Sequence, residues 1–140
     1  MQSKEKNNLI FIRLFPGENL NEEIKKACKN HDVKTAVIIS GIGQLKNSKL
    51  GYFKKKDDYS PDVFDKPLEL LSLSGNIYRE GDDYNLHIHA ILGDEKKNAL
   101  GGHLIDAQIK VTAEIVLFKT ELTIERKLDE KTGLKALFLG

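Results

Sequence analysis

The alternation of apolar and polar residues along the chain predicts a protein built mainly from β-strands. Short apolar runs that are rich in β-branched residues recur between turns rich in glycine, proline and charged residues. These runs predict strands over 7–14, 33–43, 45–53, 67–78, 84–92 and 109–120, followed by a closing hairpin with arms at 122–128 and 134–139.

One helix is predicted after the first strand. Asn19 is a favourable N-cap residue, and Glu22 stands three residues later in the capping-box position. The apolar residues that follow share one helical face, namely Leu20, Ile24, Ala27 and Cys28. On this stripe we expect Cys28 to be a small core residue rather than a nucleophile. The expected fold class is α+β, with a largely antiparallel sheet packed against one main helix.

The length of 140 residues is enough to bury one hydrophobic core. We expect a polar N-terminal tail over 1–6 and a single domain over 7–140. No apolar run approaches the ~20 residues that a membrane-spanning helix needs, and the polar first residues do not form a secretory signal. The expectation is therefore a cytoplasmic protein without membrane attachment. Its single cysteine excludes an internal disulfide and a thiolate-rich metal site.

The charge pattern argues against dedicated nucleic-acid recognition. The net charge is +1, and the basic residues are almost all lysine, with arginine only at positions 13, 79 and 126. Readers of phosphates and bases usually depend on the planar fork of arginine. The lysines of the loop at 54–66 are offset by four aspartates, so this loop is interpreted as a solvated surface.

Three of the four histidines fall within residues 84–103. In a strand, His87 and His89 would share one face with Cα atoms about 7 Å apart, close enough for both rings to bind one ion. Gly101 and Gly102 would allow a sharp bend that brings in His103. Three neutral imidazoles with an open coordination position are typical of a catalytic zinc site. The alternative is a polar surface on which three histidines meet by chance.

The fourth histidine, His31, follows the predicted helix directly. At a helix end an imidazole interacts favourably with the last carbonyl groups or simply lies on the surface. We therefore predict that His31 is not part of the cluster.

Five segments resemble, in order, the plants-and-prokaryotes-conserved (PPC) domain: SGIGQLKNSKLGYF (40–53), PLELLSLSGNI (67–77), HIHAILGD (87–94), GGHLIDAQIKVTAEIVL (101–117) and TGL near the end. The resemblance covers the chain from about residue 7. It implies an α+β fold with an antiparallel sheet, assembled as a homotrimer through its central strands. Plant members follow AT-hook segments, which implies DNA or DNA-binding proteins as partners. This chain has no arginine-glycine-arginine-proline hook core, and KPLELL (66–71) stands where the plant domain has Gly-Arg-Phe-Glu-Ile-Leu.

The fold implied by this resemblance is similar to that of acetolactate decarboxylase and of a zinc-dependent ester hydrolase. Both bind zinc through an HxH pair and a later histidine. His87, His89 and His103 match that arrangement. The resemblance thus implies a bound zinc ion or another divalent metal.

Three functions remain open at the level of sequence. The first is a non-catalytic, DNA-associated regulatory module in which zinc organises the local structure. The second is a zinc-dependent hydrolase or lyase acting on a small carbonyl or ester compound. The third is a binding module whose metal captures an anionic metabolite, with SGIGQ (40–44) either lining the pocket or letting the strand turn.

A catalytic function would need a general acid or base besides the metal. Glu114 is the candidate, because a carboxylate within an apolar strand is costly unless it has a specific partner. The alternative is a satisfied hydrogen bond in the core or at a subunit interface. Asp94 and Asp106 are weaker candidates, since a loop and a solvent-facing turn explain them.

Overall fold

Antiparallel strands make up most of the fold. A computed structural model describes residues 1–139 and shows nine strands and one helix within that range. The helix α1 spans Leu20–Asn30. With one short helix beside nine strands, the fold is richer in β-structure than the expected α+β class suggests. None of the helical structure described has the length and apolarity that crossing a bilayer requires. The strands are β1 (Gln2–Lys6), β2 (Leu9–Leu14), β3 (Thr35–Gly51), β4 (Asp62–Phe64), β5 (Leu68–Glu80), β6 (Asp83–Gly93), β7 (Ala99–Thr120), β8 (Glu125–Asp129) and β9 (Leu134–Phe138).

Seven of the strands form one sheet in the order β1-β2-β7-β6-β5-β3-β4. The long strand β7 also pairs with β3, so that β3, β5, β6 and β7 form a closed ring of strands. The start of β7 pairs with β6, and its second half pairs with β2. The remaining strands, β8 and β9, form a separate antiparallel pair, which confirms the predicted closing hairpin.

The two strands predicted over 33–43 and 45–53 are a single strand, β3. The expected turn at the glycines between them is wrong, because shifts in register let β3 change direction while it stays paired to β7. Gly43 has a positive φ of 152°, and a Cβ atom there would lie 2.2 Å from the carbonyl oxygen of Thr112. The glycine therefore permits a close approach between strands rather than a turn.

The N-terminal residues expected to form a polar tail are an edge strand instead, since β1 pairs with β2 along its whole length. An edge strand needs no apolar side chains, because main-chain pairing and polar contacts can hold it. The Nε2 atom of His31 lies 2.9 Å from Ser3 Oγ, and its Nδ1 atom lies 3.4 Å from the carboxylate of Glu5. His31 thus joins the end of α1 to β1 and, as predicted, lies outside the histidine cluster.

The predicted helix and its cap are confirmed. The side chain of Asn19 accepts a hydrogen bond from the amide of Glu22 at the start of α1. The predicted apolar stripe, which includes Cys28, is fully buried in the one hydrophobic core. Burial raises the pKa of the Cys28 thiol to about 12, which keeps it neutral and unreactive in the folded protein.

Candidate metal centre

The three histidines of the 84–103 segment converge on one side of the sheet. His89 and His103 are directly opposed in the antiparallel ladder between β6 and β7, and residues paired in this way point to the same face. His87 lies two positions away on β6 and shares that face. The ring centroids are 5.3 Å apart for His87 and His89, 5.5 Å for His87 and His103, and 5.3 Å for His89 and His103. Each residue offers a ring nitrogen, and these atoms all lie within 4.8 Å of one another.

The route by which His103 reaches the others differs from the prediction. Gly101 and Gly102 belong to β7 and form no bend, so the strand ladder itself carries His103 to its place. A Cβ atom would lie 2.8 Å from the carbonyl oxygen of Ala90 at Gly101, and 2.8 Å from that of Gly51 at Gly102. The two glycines allow β6 and β3 to pack closely against β7 on either side of the cluster.

The cluster fits a divalent metal ion. A tetrahedral site with bonds of 2.0–2.1 Å places neighbouring nitrogens roughly 3.4 Å apart, so small ring rotations would bring the three atoms into range. Imidazole must be neutral to bind a metal. Burial, together with the nearby charge of Arg126, lowers the pKa of His87, and burial and the neighbouring His89 lower that of His103. Three imidazoles suit zinc and similar divalent metals and leave one coordination position open.

An arginine from the hairpin approaches this cluster. The Nη2 atom of Arg126 lies 2.8 Å from Nδ1 of His87 and donates a hydrogen bond of 3.1 Å to Oδ1 of Asn76. Its guanidinium lies over the ring of Tyr78, at 5.7 Å from the centroid. The Nη1 atom donates a hydrogen bond of 3.0 Å to the carbonyl oxygen of Lys135, and the Nε atom is buried without a hydrogen-bond partner among the described residues. None of the ion pairs in the described part of the chain includes Arg126.

A cavity of about 270 Å³ opens beside the cluster, under the hairpin. No acidic side chain is among the described residues that line it. Sequence reasoning missed this cavity and Arg126, although the rarity of arginine in a lysine-rich chain was an available signal. The lining residues are Tyr59, Tyr78, Asn85, Leu86, His87, His103, Arg126, Leu134 and Lys135.

Glu114, the candidate general acid or base, lies elsewhere. It stands further along β7 than His103, by about 35 Å measured along the strand at a rise of ~3.3 Å per residue. Its side chain is exposed between its cross-strand neighbours Arg13 and Ile42, and it lines a separate cavity of about 380 Å³. Within one chain, Glu114 is therefore not part of the histidine site.

The two weaker candidates have structural roles in the fold. The carboxylate of Asp94 accepts hydrogen bonds of 2.8 Å from the amides of Lys96 and Asn98 in its own loop. The carboxylate of Asp106 accepts a bond of 2.7 Å from the side chain of Asn19, the N-cap residue of α1. Neither carboxylate belongs to the cluster of residues that could hold a metal.

Comparison with known proteins confirms the resemblance found in the sequence. The family model of the Plants and Prokaryotes Conserved (PCC) domain matches residues 1–121. The crystal structure of a PPC protein from Pyrococcus horikoshii is 34% identical and has a TM-score of 0.80, covering 96% of this chain and 91% of that one. A metal-containing protein from Archaeoglobus fulgidus is 31% identical with a TM-score of 0.83, covering 96% and 95%.

Two further similarities are more limited. A candidate DNA-binding protein from Bacteroides thetaiotaomicron has a TM-score of 0.90 and covers 99% of this chain and 96% of that one, but at 24% identity the likeness shows the fold alone. The bifunctional protein GlmU of Synechococcus sp. (strain JA-3-3Ab) is 30% identical over 130 residues, which is 91% of this chain and 20% of that protein. The chain thus spans about a fifth of the length of the curated relatives it matches.

Proposed function

The chain belongs to the Plants and Prokaryotes Conserved (PCC) domain family, and from this premise we propose that it is a homotrimeric module whose working centre is a three-histidine site for a divalent metal. The supporting observation is that His87, His89 and His103 each offer a nitrogen within 4.8 Å of the others. Zinc is the first choice, because three imidazoles and an open position suit it. The similar protein from Archaeoglobus fulgidus is itself metal-containing.

The cavity beside the cluster supports a role in binding a small molecule. When bound, a divalent metal would polarise a carbonyl oxygen or attract an anionic one at the open position. The cavity walls add the ring of Tyr59, which lies 5.5 Å from that of His103, and the side chain of Tyr78. We therefore infer a metabolite-binding module that holds a small carbonyl, ester or anionic compound next to the metal.

Elemental analysis of protein purified without a histidine tag tests the metal site. We expect close to one zinc or other divalent ion per chain after purification in the absence of chelators, and none after dialysis against a chelator. Protein that stays metal-free after incubation with zinc, cobalt and nickel would overturn the proposal.

An exposed apolar face supports the homotrimer. Phe118 is 44% exposed and lies between Leu9 of β2 and Val37 of β3, and the neighbouring Phe11 is 60% exposed. Single exposed apolar residues are ordinary, but contiguous apolar patches commonly mark subunit contacts. Glu114 lies on this same face, so in a trimer it would belong to a subunit contact. This agrees with the alternative given above for Glu114, a hydrogen bond at a subunit interface.

Association with DNA is a second candidate, favoured by the shared fold of candidate DNA-binding proteins. The net charge of +1 and the scarcity of arginine weigh against it. A fluorescence anisotropy titration with duplex DNA across a salt series would decide. Binding that persists at the physiological ionic strength of about 0.15 M would support the candidate. Binding confined to low salt would be the generic effect of lysines.

Catalysis is the alternative use of the same site. A hydrolase or lyase would also need a group that moves a proton. Besides the histidines, the described residues of the cavity that carry a group able to move a proton are Tyr59, Tyr78 and Lys135. Hydrolysis of a simple activated ester by the metal-loaded protein, abolished by His87→Ala, would support an enzyme. Absence of turnover by a fully loaded sample would favour the binding module.

A further inference from the structure

Arg126 is a partly buried cation that no acidic group pairs with among residues 1–139. Its Nε atom is buried without an acceptor among the described residues, its Nη1 atom donates to the carbonyl oxygen of Lys135 at 3.0 Å, and its Nη2 atom contacts the neutral groups of His87 and Asn76. A charge in such a place is costly unless it is paired, and a guanidinium binds carboxylates through two parallel hydrogen bonds. An arginine held in this state at the wall of a cavity indicates that an anionic partner completes it.

The contact between Arg126 and His87 also bears on the metal. A guanidinium has only donors, so Nδ1 of His87 must accept the hydrogen bond with its lone pair. A neutral imidazole has one such lone pair, because its other nitrogen carries the proton. Arg126 and a metal ion therefore compete for the same electron pair of His87. The usual partner of a metal-bound histidine is an acceptor, such as a carboxylate or a carbonyl group.

We propose that the cavity beside the three histidines binds a small carboxylate through Arg126, and that this carboxylate draws Arg126 away from His87 and so favours metal binding. Arg126 would bind the carboxylate beside the three histidines, which would hold the metal, and Lys135 lines the same cavity. The effect of the carboxylate on metal binding rests on the proposed metal site. The carboxylate site itself depends only on Arg126 and the cavity.

The size and shape of the cavity restrict the ligand. Cavities for drug-sized molecules usually measure about 300–1,000 Å³, so a volume of about 270 Å³ suits a compound of a few carbon atoms. Tyr59 and Tyr78 provide aromatic surface and hydroxyl groups, and Asn85 provides an amide. These features match a short hydroxy- or keto-carboxylate rather than a nucleotide or a fatty acid.

Calorimetry and NMR with lactate and lactamide test the carboxylate site directly. The two compounds have nearly the same shape, but only lactate is charged. We expect lactate to bind the zinc-loaded wild-type protein at least about tenfold more tightly than lactamide, because only lactate makes charge-assisted hydrogen bonds to Arg126. Equal affinities for the two compounds would overturn the proposal, and this comparison needs no variant.

Variants identify the residue responsible. Arg126→Met keeps the length and apolar stem of the side chain and removes the donors, and we expect it to weaken lactate binding at least about tenfold. Lys127→Gln is the matched control, since Lys127 is an exposed neighbour on β8 whose ammonium pairs with Glu125 and lies over the ring of Phe138, outside the residues that line the cavity. Lactate affinity should change less than about twofold in this control. Undiminished lactate binding by a natively folded Arg126→Met variant would contradict the assignment.

Zinc affinity gives a second readout, because Arg126→Met should weaken lactate binding but should not weaken zinc binding. Without lactate, Arg126→Met should bind zinc at least as tightly as the wild-type protein, because the competing donor is gone. With lactate, the zinc affinity of the wild-type protein should rise while that of Arg126→Met should not, and the ratio between the two proteins cancels any zinc–lactate complex in solution. Binding energies are reciprocal, so zinc should raise lactate affinity by the same factor. A lower zinc affinity in Arg126→Met would contradict the competition.

The outcomes separate this inference from the proposed function. If zinc does not bind, but metal-free protein binds lactate in a manner that depends on Arg126, the metal site fails and the carboxylate site stands. If zinc binds to His87, His89 and His103 but lactate and inorganic phosphate do not bind, the metal site stands and the carboxylate site is wrong. Binding of phosphate in preference to lactate would show an anion site of another class and would also contradict the proposal.

Discussion

His89 and His103 stand directly opposite each other in the antiparallel ladder between β6 and β7, with ring centroids 5.3 Å apart. Main-chain pairing therefore holds two of the three imidazoles, and His87 joins them from the same face of β6. A slip of β7 by one residue would turn His103 to the opposite face of the sheet. The geometry of the site is thus a property of strand register and not of a flexible loop.

Replacement of any one cluster histidine by alanine should remove most of the metal affinity. Loss of an outer partner of a metal ligand typically costs about 10–100-fold in affinity, and loss of a ligand should cost more. His31→Ala is the control, because His31 contacts Ser3 and Glu5 and lies outside the cluster. Competition titrations with a chromophoric chelator measure the affinities. Equal affinity of His89→Ala and His31→Ala would refute the three-histidine site.

Gly75→Ala should destabilise the protein and disturb the metal site together. Gly75 has a φ of 149°, and a Cβ atom there would lie 2.1 Å from the carbonyl oxygen of His87, so β5 and β6 must separate. We expect the free energy of unfolding to fall by about 3 kcal/mol. Urea unfolding measures it.

Gly81→Ala is the matched control for that experiment. Gly81 also has a positive φ, of 63°, but a Cβ atom there meets no neighbour within 4 Å. The loss of unfolding free energy in Gly81→Ala should be about 1–2 kcal/mol, which is the cost of the left-handed conformation alone. Its metal affinity should be unchanged. Equal losses in the two variants would show that the contact between Gly75 and His87 has no energetic weight.

Phe118→Glu should break the proposed homotrimer. A carboxylate at this position would enter the apolar face beside Val37, where an interface would leave it unpaired. Light scattering after size exclusion should give three times the 15.8 kDa chain mass for the wild-type protein and a single-chain mass for the variant. Leu128→Glu is the control, since Leu128 is also an exposed apolar residue, at 63% against 44% for Phe118, but lies on the hairpin. A wild-type protein of single-chain mass would end the trimer proposal.

Cys28 should contribute a distinct alkaline loss of stability. Folding raises its pKa from an ordinary value of 9.0 to about 12, because burial disfavours the thiolate. The stabilisation is therefore complete below about pH 9 and is lost as the pH rises towards the folded pKa. Unfolding free energies at pH 8 to about 10.5 should fall more steeply for the wild-type protein than for Cys28→Ala. Equal slopes of unfolding free energy against pH in the two proteins would contradict this prediction.

The same thiol should resist modification in the native state. Iodoacetamide at about pH 8 should alkylate Cys28 rapidly in urea and hardly at all in native buffer, because the buried thiol is protonated and shielded. Mass spectrometry of the intact chain measures the extent. Rapid alkylation of the folded protein would show that the helix face carrying Cys28 opens readily.

Local patterns predicted the parts of the fold that depend on near neighbours. The capped helix, the shared face of His87 and His89 and the closing hairpin each follow from spacings of a few residues. The tail expected over 1–6 was wrong, because an edge strand is stabilised by main-chain pairing that its polar side chains do not reveal. The bend expected at Gly101 was wrong because a glycine that permits a turn permits close strand packing equally well.

The sequence by itself determined which side chains share a face, since the period of a strand or helix is a property of a few consecutive residues. Only the tertiary structure decided that His103 stands opposite His89, that Arg126 reaches His87 across 39 positions of the chain, and that Glu114 lies far from both. The first relationship depends on the register that the loop over 94–98 sets between β6 and β7, and the other two depend on the long course of β7 and on the path of the β8–β9 hairpin. The period of a strand tells which residues share a face, but it does not tell which residue of another strand stands opposite.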